Sequence, residues 1–230
     1  MTHHKSWDKF IKDNENLEKM SNFVNENDDI CPVKDKVFRF FDCDLFKTKC
    51  VILGMDPYYS TYEKEGVSYP VATGRAFEVE NIENFTDKYK QSSLSNIFKA
   101  LSYYKFNKLY SMDELRTEKI KQKIEFLNIH KWYDEMEKRG VIFLNASLTT
   151  TTGRPGAHTK IWNDFMNELI SYIDKLKSPM WLIWGKEALS RIEGLINKKR
   201  IIYSCHPASR FNNNFVEDCC FKKVKEVIWF

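Results

Sequence analysis

The stretch CVILGMDPYYS, residues 50–60, places an unbroken apolar run directly before an acid, a proline and two tyrosines. Because the run Cys50–Met55 is rich in apolar and β-branched residues and is too short for a helix, it predicts a buried strand. Asp-Pro by itself is ordinary turn chemistry. Whether Asp56 is more than a turn residue depends on which residues come directly after the other strands of the chain.

Three further apolar runs have the same character and predict three more strands. They are Gly140–Leu144, Pro179–Trp184 and Arg200–Ser204. Since none of them alternates polar with apolar residues, they are typical of a parallel sheet that is covered on both faces. Helical spacing occurs around and between these runs, at Trp7–Val24, Ser93–Tyr104, Met112–Arg139, Ile161–Leu176 and Lys186–Ile196. The sequence therefore predicts a single α/β domain with a central four-stranded parallel sheet flanked by helices.

Two of the helical segments carry more detailed expectations. Ser93 is a residue type suited to an N-cap, so the helix after it is expected to begin there. Met112–Arg139 is rich in Lys and Glu, so we expect one or two solvated helices before the second strand. We expect the N-terminal part, about residues 1–45, to be helical and to belong to the same domain.

The composition sets broad limits on function. The chain has 230 residues, of which 43% are apolar, and a formal net charge of +4, which permits a polyanionic partner without demonstrating one. The six cysteines form no C-x-x-C pair, and the first residues lack the apolar stretch of a secretory signal. We therefore expect an intracellular protein, cytoplasmic or nuclear, that is monomeric and has no metal site, no cofactor and no membrane span.

Each predicted strand is followed directly by residues that are suited to catalysis or ligand binding. The four runs lead into Asp56, Asn145, the Gly185-Lys186 pair and His206. In open parallel sheets, ligands bind in the crevice outside the carboxyl ends of the strands. Singly, each residue has an ordinary explanation as a turn former, a cap or a surface imidazole. Together they predict one crevice in which an acid, an amide and an imidazole meet.

Seven segments, in the correct order between about residues 50 and 225, give the chain a family likeness. It resembles the uracil-DNA glycosylases, family 1, including their poxvirus branch. GMDPYY (54–59) is similar to the family's GQDPYH loop, and GRAFEV (74–79) is similar to its G-L-x-F-S-V segment. The other matching segments are SLSNIFKAL (93–101), GVIFLNASLT (140–149), AHTKIWNDF (157–165), WLIWGKEA (181–188) and CHPASRF (205–211).

The resemblance implies a monofunctional DNA glycosylase of base excision repair that hydrolyses the N-glycosidic bond of a flipped-out base. It implies that Asp56 stabilises the oxocarbenium-like sugar and orients the water, while His206 donates to the departing base. The residues that would bind the base are Met55, Tyr58, Phe77 and Asn145. The residues that would contact DNA, single- or double-stranded, are Ser93, His158, Gly185, Lys186, Ser209 and Arg210.

Three departures from the family pattern leave the target base open. Tyr59 stands where the family has histidine, residues 60–73 lengthen the loop beside the base pocket, and residues 105–131 form a charged insertion. The longer loop is either a surface excursion or a device that reshapes the pocket. Uracil is the first expectation. One alternative is a bulkier modified pyrimidine, such as modified cytosine in phage DNA, excised in antiviral defence, and another is a non-catalytic DNA-binding or processivity subunit.

Overall fold

The computed structural model describes residues 2–211 and 213–230, so that Met1 and Asn212 lie outside it. Within these residues the strands are β1 (Cys50–Gly54), β2 (Thr61–Lys64), β3 (Val67–Pro70), β4 (Val141–Asn145), β5 (Met180–Trp184) and β6 (Ile201–Ser204). The α-helices are α1 (Asp8–Asp13), α2 (Glu15–Glu26), α3 (Ser92–Phe106), α4 (Met112–Leu115), α5 (Glu118–Lys121), α6 (Ile129–Lys138), α7 (Thr159–Lys177), α8 (Lys186–Ile192) and α9 (Phe215–Asp218). No helix in this part of the chain is both long and apolar enough to cross a membrane.

The main sheet is parallel throughout, with the strand order β4-β1-β5-β6. This confirms the predicted four-stranded parallel sheet flanked by helices. The register pairs Gly54 with Asn145 and Trp184 with Ser204, so the carboxyl ends of the strands lie level with one another. Residues that directly follow the strands are thereby brought to one edge of the sheet.

Both faces of the sheet are buried, which is why its strands read as continuous apolar runs. Along β1, Val51 and Leu53 pack in one layer with α7 and the N-terminal segment, while Cys50 and Ile52 pack in the other layer with α3 and α6. The N-terminal segment is part of the first layer because Trp7 is fully buried and its indole Nε1 donates to the Cys43 carbonyl at 2.9 Å.

The helices differ from the sequence-based expectations in three places. Trp7–Val24 is not one helix, because the chain leaves helical geometry at Asn14 between α1 and α2. Ser93 is not an N-cap, since α3 begins at Ser92 with Gln91 before it. The expectation of solvated helices in 112–139 is wrong for α6, which buries Trp132, Tyr133 and Met136 in the core. High charge concealed an amphipathic helix there, because only one face of α6 is polar.

The lengthened stretch 60–73 contains an exposed antiparallel hairpin of β2 and β3. Its turn residues Glu65 and Gly66 have positive φ values of 53° and 76°, as a type I′ hairpin turn requires. From the sequence this stretch was expected to be a loop. The signal for the hairpin was the Glu-Gly pair between two short alternating segments.

Candidate active site

The edge formed by the carboxyl ends of β1 and β4 is extended by two backbone hydrogen bonds. Ala146 N donates to Gly54 O at 3.0 Å, and Ser147 N donates to Met55 O at 3.0 Å. The segments that follow β1 and β4 therefore stay hydrogen-bonded to each other beyond the ends of the strands. This pairing fixes the backbone that leads into Asp56 directly beside Asn145.

A cavity of about 210 Å³ opens at this edge of the sheet. The structure brings together around it every residue that the sequence assigned to catalysis or base binding, although these residues are far apart in the chain. They are Met55, Asp56, Tyr58, Phe77, Asn145 and His206, with Ser93 beside them.

Gly54 shapes the floor of this cavity by having no side chain. A Cβ at this position would lie 2.6 Å from Oδ1 of Asn145 and 3.1 Å from Cε2 of Phe77. Both distances are shorter than an ordinary van der Waals contact, so any larger residue would displace the amide and the ring. Glycine is therefore required by close approach.

Asp56 places a poorly solvated carboxylate in the cavity. Its Oδ1 is buried and accepts no hydrogen bond from the described residues. Burial raises the pKa of this carboxyl, and the Gly156 amide and the Arg191 charge oppose the rise. A buried carboxylate oxygen without a partner is costly unless a ligand, a water or a developing positive charge satisfies it.

His206 is held as a neutral hydrogen-bond donor. The residue as a whole is exposed, but partial burial of its ring lowers the pKa of the imidazole, and the nearby Glu187 opposes this shift. The Ala208 amide donates to Nδ1 of His206 at 3.1 Å, so Nδ1 is an acceptor and carries no proton. In a neutral imidazole the proton must then lie on Nε2. His206 can thus donate one hydrogen bond from Nε2 without carrying charge.

Asn145 and Tyr58 add two further polar side chains to the cavity. The Asn145 side chain is 3% exposed and makes no hydrogen bond to another described residue. The Tyr58 hydroxyl is buried and makes no hydrogen bond to the described residues, and burial raises its pKa to about 12, so the phenol stays neutral. An amide that offers both a donor and an acceptor in such a cavity is suited to binding a polar, planar ligand.

Phe77 supplies an aromatic wall in a strained backbone conformation. Its φ is +66°, which is uncommon for a residue with a bulky side chain. The ring lies 4.8 Å from the ring of Trp184 and 5.8 Å from that of His206, measured between centroids. Backbone strain of this kind is concentrated at functional sites.

Comparison with known proteins places this chain among enzymes that act on DNA bases. No protein-family model matches it. The uracil-DNA glycosylase of Buchnera aphidicola subsp. Baizongia pistaciae is 32% identical over 215 residues, which cover 88% of this chain and 82% of that protein. The chain belongs to the uracil-DNA glycosylase family. The uracil-DNA glycosylase of Ureaplasma parvum is 29% identical over 197 residues, covering 84% of this chain and 77% of its own.

Solved structures agree on the fold of the family. The UNG crystal structure from Nitratifractor salsuginis has a TM-score of 0.73 at 16% identity and covers 97% of this chain and 91% of that chain. Mimivirus UNG Y322F in complex with UGI has a TM-score of 0.69 at 23% identity, with 97% and 83% covered. At these identities the likeness establishes architecture only.

Three of the residues expected to contact DNA lie at the cavity or directly beside His206, namely Ser93, Gly185 and Ser209. Ser93 is 7% exposed and lines the cavity itself. Gly185, with φ +110°, turns the chain from β5 into α8, where Lys186 is exposed. On the loop after His206, Ser209 Oγ donates to the Phe211 carbonyl at 2.8 Å and Arg210 is exposed.

His158 is buried in a hydrogen-bonded link. Trp162 Nε1 donates to Thr149 Oγ1 at 2.7 Å, and the same hydroxyl is hydrogen-bonded to His158 Nδ1 at 2.9 Å. His158 Nε2 lies 3.1 Å from Thr151 Oγ1. Both ring nitrogens are therefore engaged within the protein, and burial lowers the pKa of the ring. The expected DNA contact of His158 remains a prediction, and this packing gives it no support.

Several residues of the site were not predicted from the sequence. Gly54, Pro57 and Pro155 line the cavity and were not singled out. Pro155 comes from the loop after β4, where no sequence pattern indicates which loop residue turns inward. Phe211 was also missed, and it is the most exposed of the large apolar side chains described, at 84%. Its signal was an aromatic residue beside Arg210 in a loop that leaves the sheet edge.

Proposed function

We propose that this chain excises uracil from DNA by hydrolysing the N-glycosidic bond, which leaves an abasic site. Given that the chain belongs to this family, one observation is the main support for the proposal. A single cavity contains the carboxylate of Asp56, whose Oδ1 accepts no hydrogen bond from the described residues, and the neutral imidazole of His206, whose donor is Nε2. These two groups match the two charges that develop when a glycosidic bond to a base is broken.

The chemistry follows from these charges. As the bond between C1′ and N1 breaks, its electron pair leaves with the base, so the sugar becomes positive and the base negative. The Asp56 carboxylate stabilises the sugar cation and accepts a hydrogen bond from the attacking water. The water oxygen forms the new bond to C1′ and gives up its proton to Asp56. The Nε2–H of His206 donates to a carbonyl oxygen of the departing base, in the manner of an oxyanion hole. Preorganisation costs little here, because the Ala208 amide already fixes the tautomer.

Base recognition uses the unsatisfied groups of the same cavity. The base must first leave the stack, and a flipped base is then read by stacking and by its Watson–Crick edge. The Phe77 ring is the stacking surface, and the Asn145 amide pairs with the alternating donor and acceptor of uracil. Tyr58 forms the wall that excludes a substituent at C5 of the base, and the Met55 backbone lies beside it.

The residues around the cavity mouth are proposed to position the DNA backbone. Backbone amides, a hydroxyl and two cations lie at one edge of the sheet, and they come from Gly185, Lys186, Ser209 and Arg210. Contacts of this type to phosphates fix register without reading sequence. The partner is therefore DNA with the target base flipped out, and one chain suffices to form the site.

The two alternatives are less well supported. The hairpin of residues 61–70 does not line the cavity, so the lengthened stretch does not enlarge the space for a bulkier base. A non-catalytic DNA-binding subunit has no need of the unpartnered carboxylate of Asp56. The curated relatives of this chain are named uracil-DNA glycosylases, which also favours uracil.

The proposal is tested with end-labelled duplexes that carry uracil, thymine or a C5-substituted cytosine at one position. After incubation, alkali cleaves the strand wherever a base has been removed. We expect cleavage only at uracil, and none with Asp56→Asn at matched enzyme concentration. Tight DNA binding without cleavage of any duplex would contradict the proposal, and cleavage only at substituted cytosine would transfer it to that base.

Gly54→Ala should lower uracil excision by roughly 10- to 100-fold, the scale that is typical of misplaced groups in a site. The added Cβ would meet Asn145 Oδ1 at 2.6 Å, so the amide and the Phe77 ring must both move. Single-turnover excision and thermal unfolding are the measurements. Gly66→Ala is the control for excision only: a Cβ there meets nothing within 4 Å, but its φ of +76° strains alanine, so this variant is not a control for stability. Full activity of Gly54→Ala would show that the cavity tolerates a displaced amide.

Arg210 and Phe211 give a second prediction, on how the base is extruded. Their loop is held at both ends, because Asn96 Nδ2 and Asn213 Nδ2 donate to Pro207 O at 2.6 and 2.9 Å. Two exposed side chains on a held loop are suited to filling the gap that a flipped base leaves. Arg210→Ala should weaken excision from duplex more than from single strands and reduce the salt dependence of binding by about one phosphate contact.

Phe211→Ala should likewise affect duplex more than single strands, but it should leave the salt dependence unchanged because the ring carries no charge. Matched single-stranded and duplex substrates across a salt series measure both effects. If a variant loses activity equally on both substrates, its residue does not fill the stack.

A further inference from the structure

We propose that a buried ionic cluster behind the cavity holds Phe77 in its strained conformation, and that Arg75 and Glu78 are therefore positioning residues for base binding. The proposal rests on the proposed function, since it assumes that Phe77 stacks on the base. The ionic cluster consists of Arg39, Arg75, Glu78, His130, Asp134 and Glu137.

Phe77 requires an external constraint to keep its geometry. A φ of +66° is unfavourable for phenylalanine and persists only when the surrounding structure imposes it. The chain on either side of Phe77 is anchored by charged groups, since Arg75 is 5% exposed and Glu78 is fully buried. Charged side chains are almost never buried to this degree without partners. The partners of these two residues are therefore what fixes Phe77.

Arg75 is held through all three nitrogens of its guanidinium. Nε donates to Glu137 Oε1 at 2.7 Å, and Nη2 donates to Asp134 Oδ1 at 2.6 Å and also to Glu137 Oε2. Nη1 donates to Glu78 Oε1 at 3.2 Å. A planar group engaged by two carboxylates from one helix has little freedom to rotate or translate.

Glu78 is held from the other side of Phe77. Its Oε1 lies 3.0 Å from Nδ1 of His130, whereas its buried Oε2 accepts no hydrogen bond from the described residues and lies 3.7 Å from Nη1 of Arg39, an ionic contact only. Burial alone would raise the pKa of this carboxyl, but the His130 hydrogen bond and the charge of Arg75 hold it below its ordinary value. Glu78 is thus an anion whose partners come from two other parts of the chain.

The anchors on the far side share one face of α6. His130, Asp134 and Glu137 are separated by four and three residues, which places them in line along a helix. The opposite face of α6 carries Trp132 and Met136 into the core, so the helix itself is fixed. The segment that carries Phe77 is therefore attached to a rigid support on both sides of the ring.

The backbone before Arg75 is fixed by close packing as well. Gly74 has φ +86°, and a Cβ there would lie 2.1 Å from the Lys36 carbonyl oxygen. Arg39 Nη1 also donates to Thr73 O at 3.3 Å. The entry into the Phe77 segment is therefore as constrained as its exit.

This arrangement is particular to the present sequence. The similar segment of the family, G-L-x-F-S-V, has an apolar residue and a serine where this chain has Arg75 and Glu78. A buried ion pair is a poor source of stability compared with apolar packing. The ionic cluster instead fixes the orientation of the segment that carries Phe77, because each hydrogen bond fixes an angle as well as a distance.

The test is a double-mutant cycle between Arg75→Lys and Phe77→Ala. Lysine keeps the charge but cannot make the forked contacts of the guanidinium. Two affinities are measured for each variant, the inhibition constant of free uracil and the Kd of a duplex with an abasic site, which carries no base to stack. Arg139→Lys is the matched control, because Arg139 pairs with Glu135 near the end of α6 and lies outside the ionic cluster.

We expect Arg75→Lys to weaken uracil binding by about tenfold, as expected for a misplaced binding group, and to leave the affinity for abasic DNA unchanged. In the Phe77→Ala background the same substitution should change neither affinity, since coupled residues are not additive. If uracil binding is unchanged in the native background, or if it weakens equally in both backgrounds, Arg75 does not act through Phe77.

Two further measurements make every outcome decisive. If Arg75→Lys does not fold, Glu78→Gln replaces it in the cycle with the same expectations, because it keeps the size of the side chain. Amide hydrogen exchange of residues 74–80 without ligand should speed up in either variant and not in Arg139→Lys. A wild-type protein that neither binds nor excises uracil would overturn the proposed function, and unchanged exchange in that case would overturn the positioning role too.

Discussion

Asp56→Asn should lower the single-turnover rate of uracil excision by roughly 10³-fold, the scale on which a preorganised electrostatic contact contributes to a rate. The amide has the shape of the carboxylate but carries no charge, so it cannot stabilise the sugar cation. Binding of a duplex with an abasic site should stay close to that of the wild type, because the contacts around the cavity mouth are unchanged. A near-native rate would mean that this cavity is not the catalytic site.

The same substitution should stabilise the fold at neutral pH. Burial raises the pKa of Asp56 above its ordinary value of 3.8. A carboxyl whose pKa is higher in the folded than in the unfolded state favours folding below its unfolded pKa, and this contribution is lost as the pH rises through the folded pKa. Asp56→Asn removes the ionisable carboxyl, so the variant does not lose this stability as the pH rises.

Thermal unfolding from pH 3 to pH 8 measures this effect. The variant should be more stable than the wild type near pH 7, and the difference should shrink as the pH falls through the folded pKa of Asp56. A variant that is less stable than the wild type at pH 7 would show that the ionised carboxylate is satisfied in the folded protein. The ionised Asp56 that catalysis requires would then not destabilise the fold.

His206→Ala should lower excision by about 10²- to 10³-fold, the usual loss for one oxyanion donor. The physical reason is that Nε2–H is the donor that the cavity aims at the departing base, with the proton placed there by the Ala208 amide. Single-turnover kinetics measure the loss, and His3→Ala, on the exposed N-terminal segment, is the control. Loss equal to that of the control would remove His206 from the chemistry.

The pH dependence separates the roles of these two groups. Burial lowers the pKa of His206, so the ring stays neutral to more acid pH than an ordinary histidine. Protonation of His206 would leave its Nε2–H donor in place, whereas protonation of Asp56 removes the charge that stabilises the sugar cation. We therefore expect the loss of kcat/KM at acid pH to follow protonation of Asp56 and to persist in His206→Ala at a reduced overall rate. Nitrogen chemical shifts of the ring should show the Nε2–H tautomer at pH 7. An Nδ1–H tautomer would contradict the donor role.

The main sheet and the position of the site were predictable from the amino-acid sequence. Cys50–Met55 and the three similar runs predicted the strands, because a parallel sheet that is buried on both faces leaves an unbroken apolar signature. Residues directly after such strands must meet at one edge of the sheet. Asp56, Asn145 and His206 could therefore be brought together from sequence, since their neighbourhood depends on chain direction alone.

The partners of the buried polar groups became known only from the folded chain. The charge of residues 112–139 predicted solvated helices, yet α6 is buried on one face, and its polar face is committed to Arg75 and Glu78. The AHTK stretch predicted a histidine that contacts DNA, which remains a prediction, and only the folded chain shows that its ring nitrogens are hydrogen-bonded to Thr149 and Thr151. Periodicity and motifs indicate which residues are buried and which are suited to catalysis or binding. The partner of a buried charge depends instead on packing between segments that are far apart in the chain. The positive φ of Phe77 is of this second kind, because no pattern in the sequence indicates it.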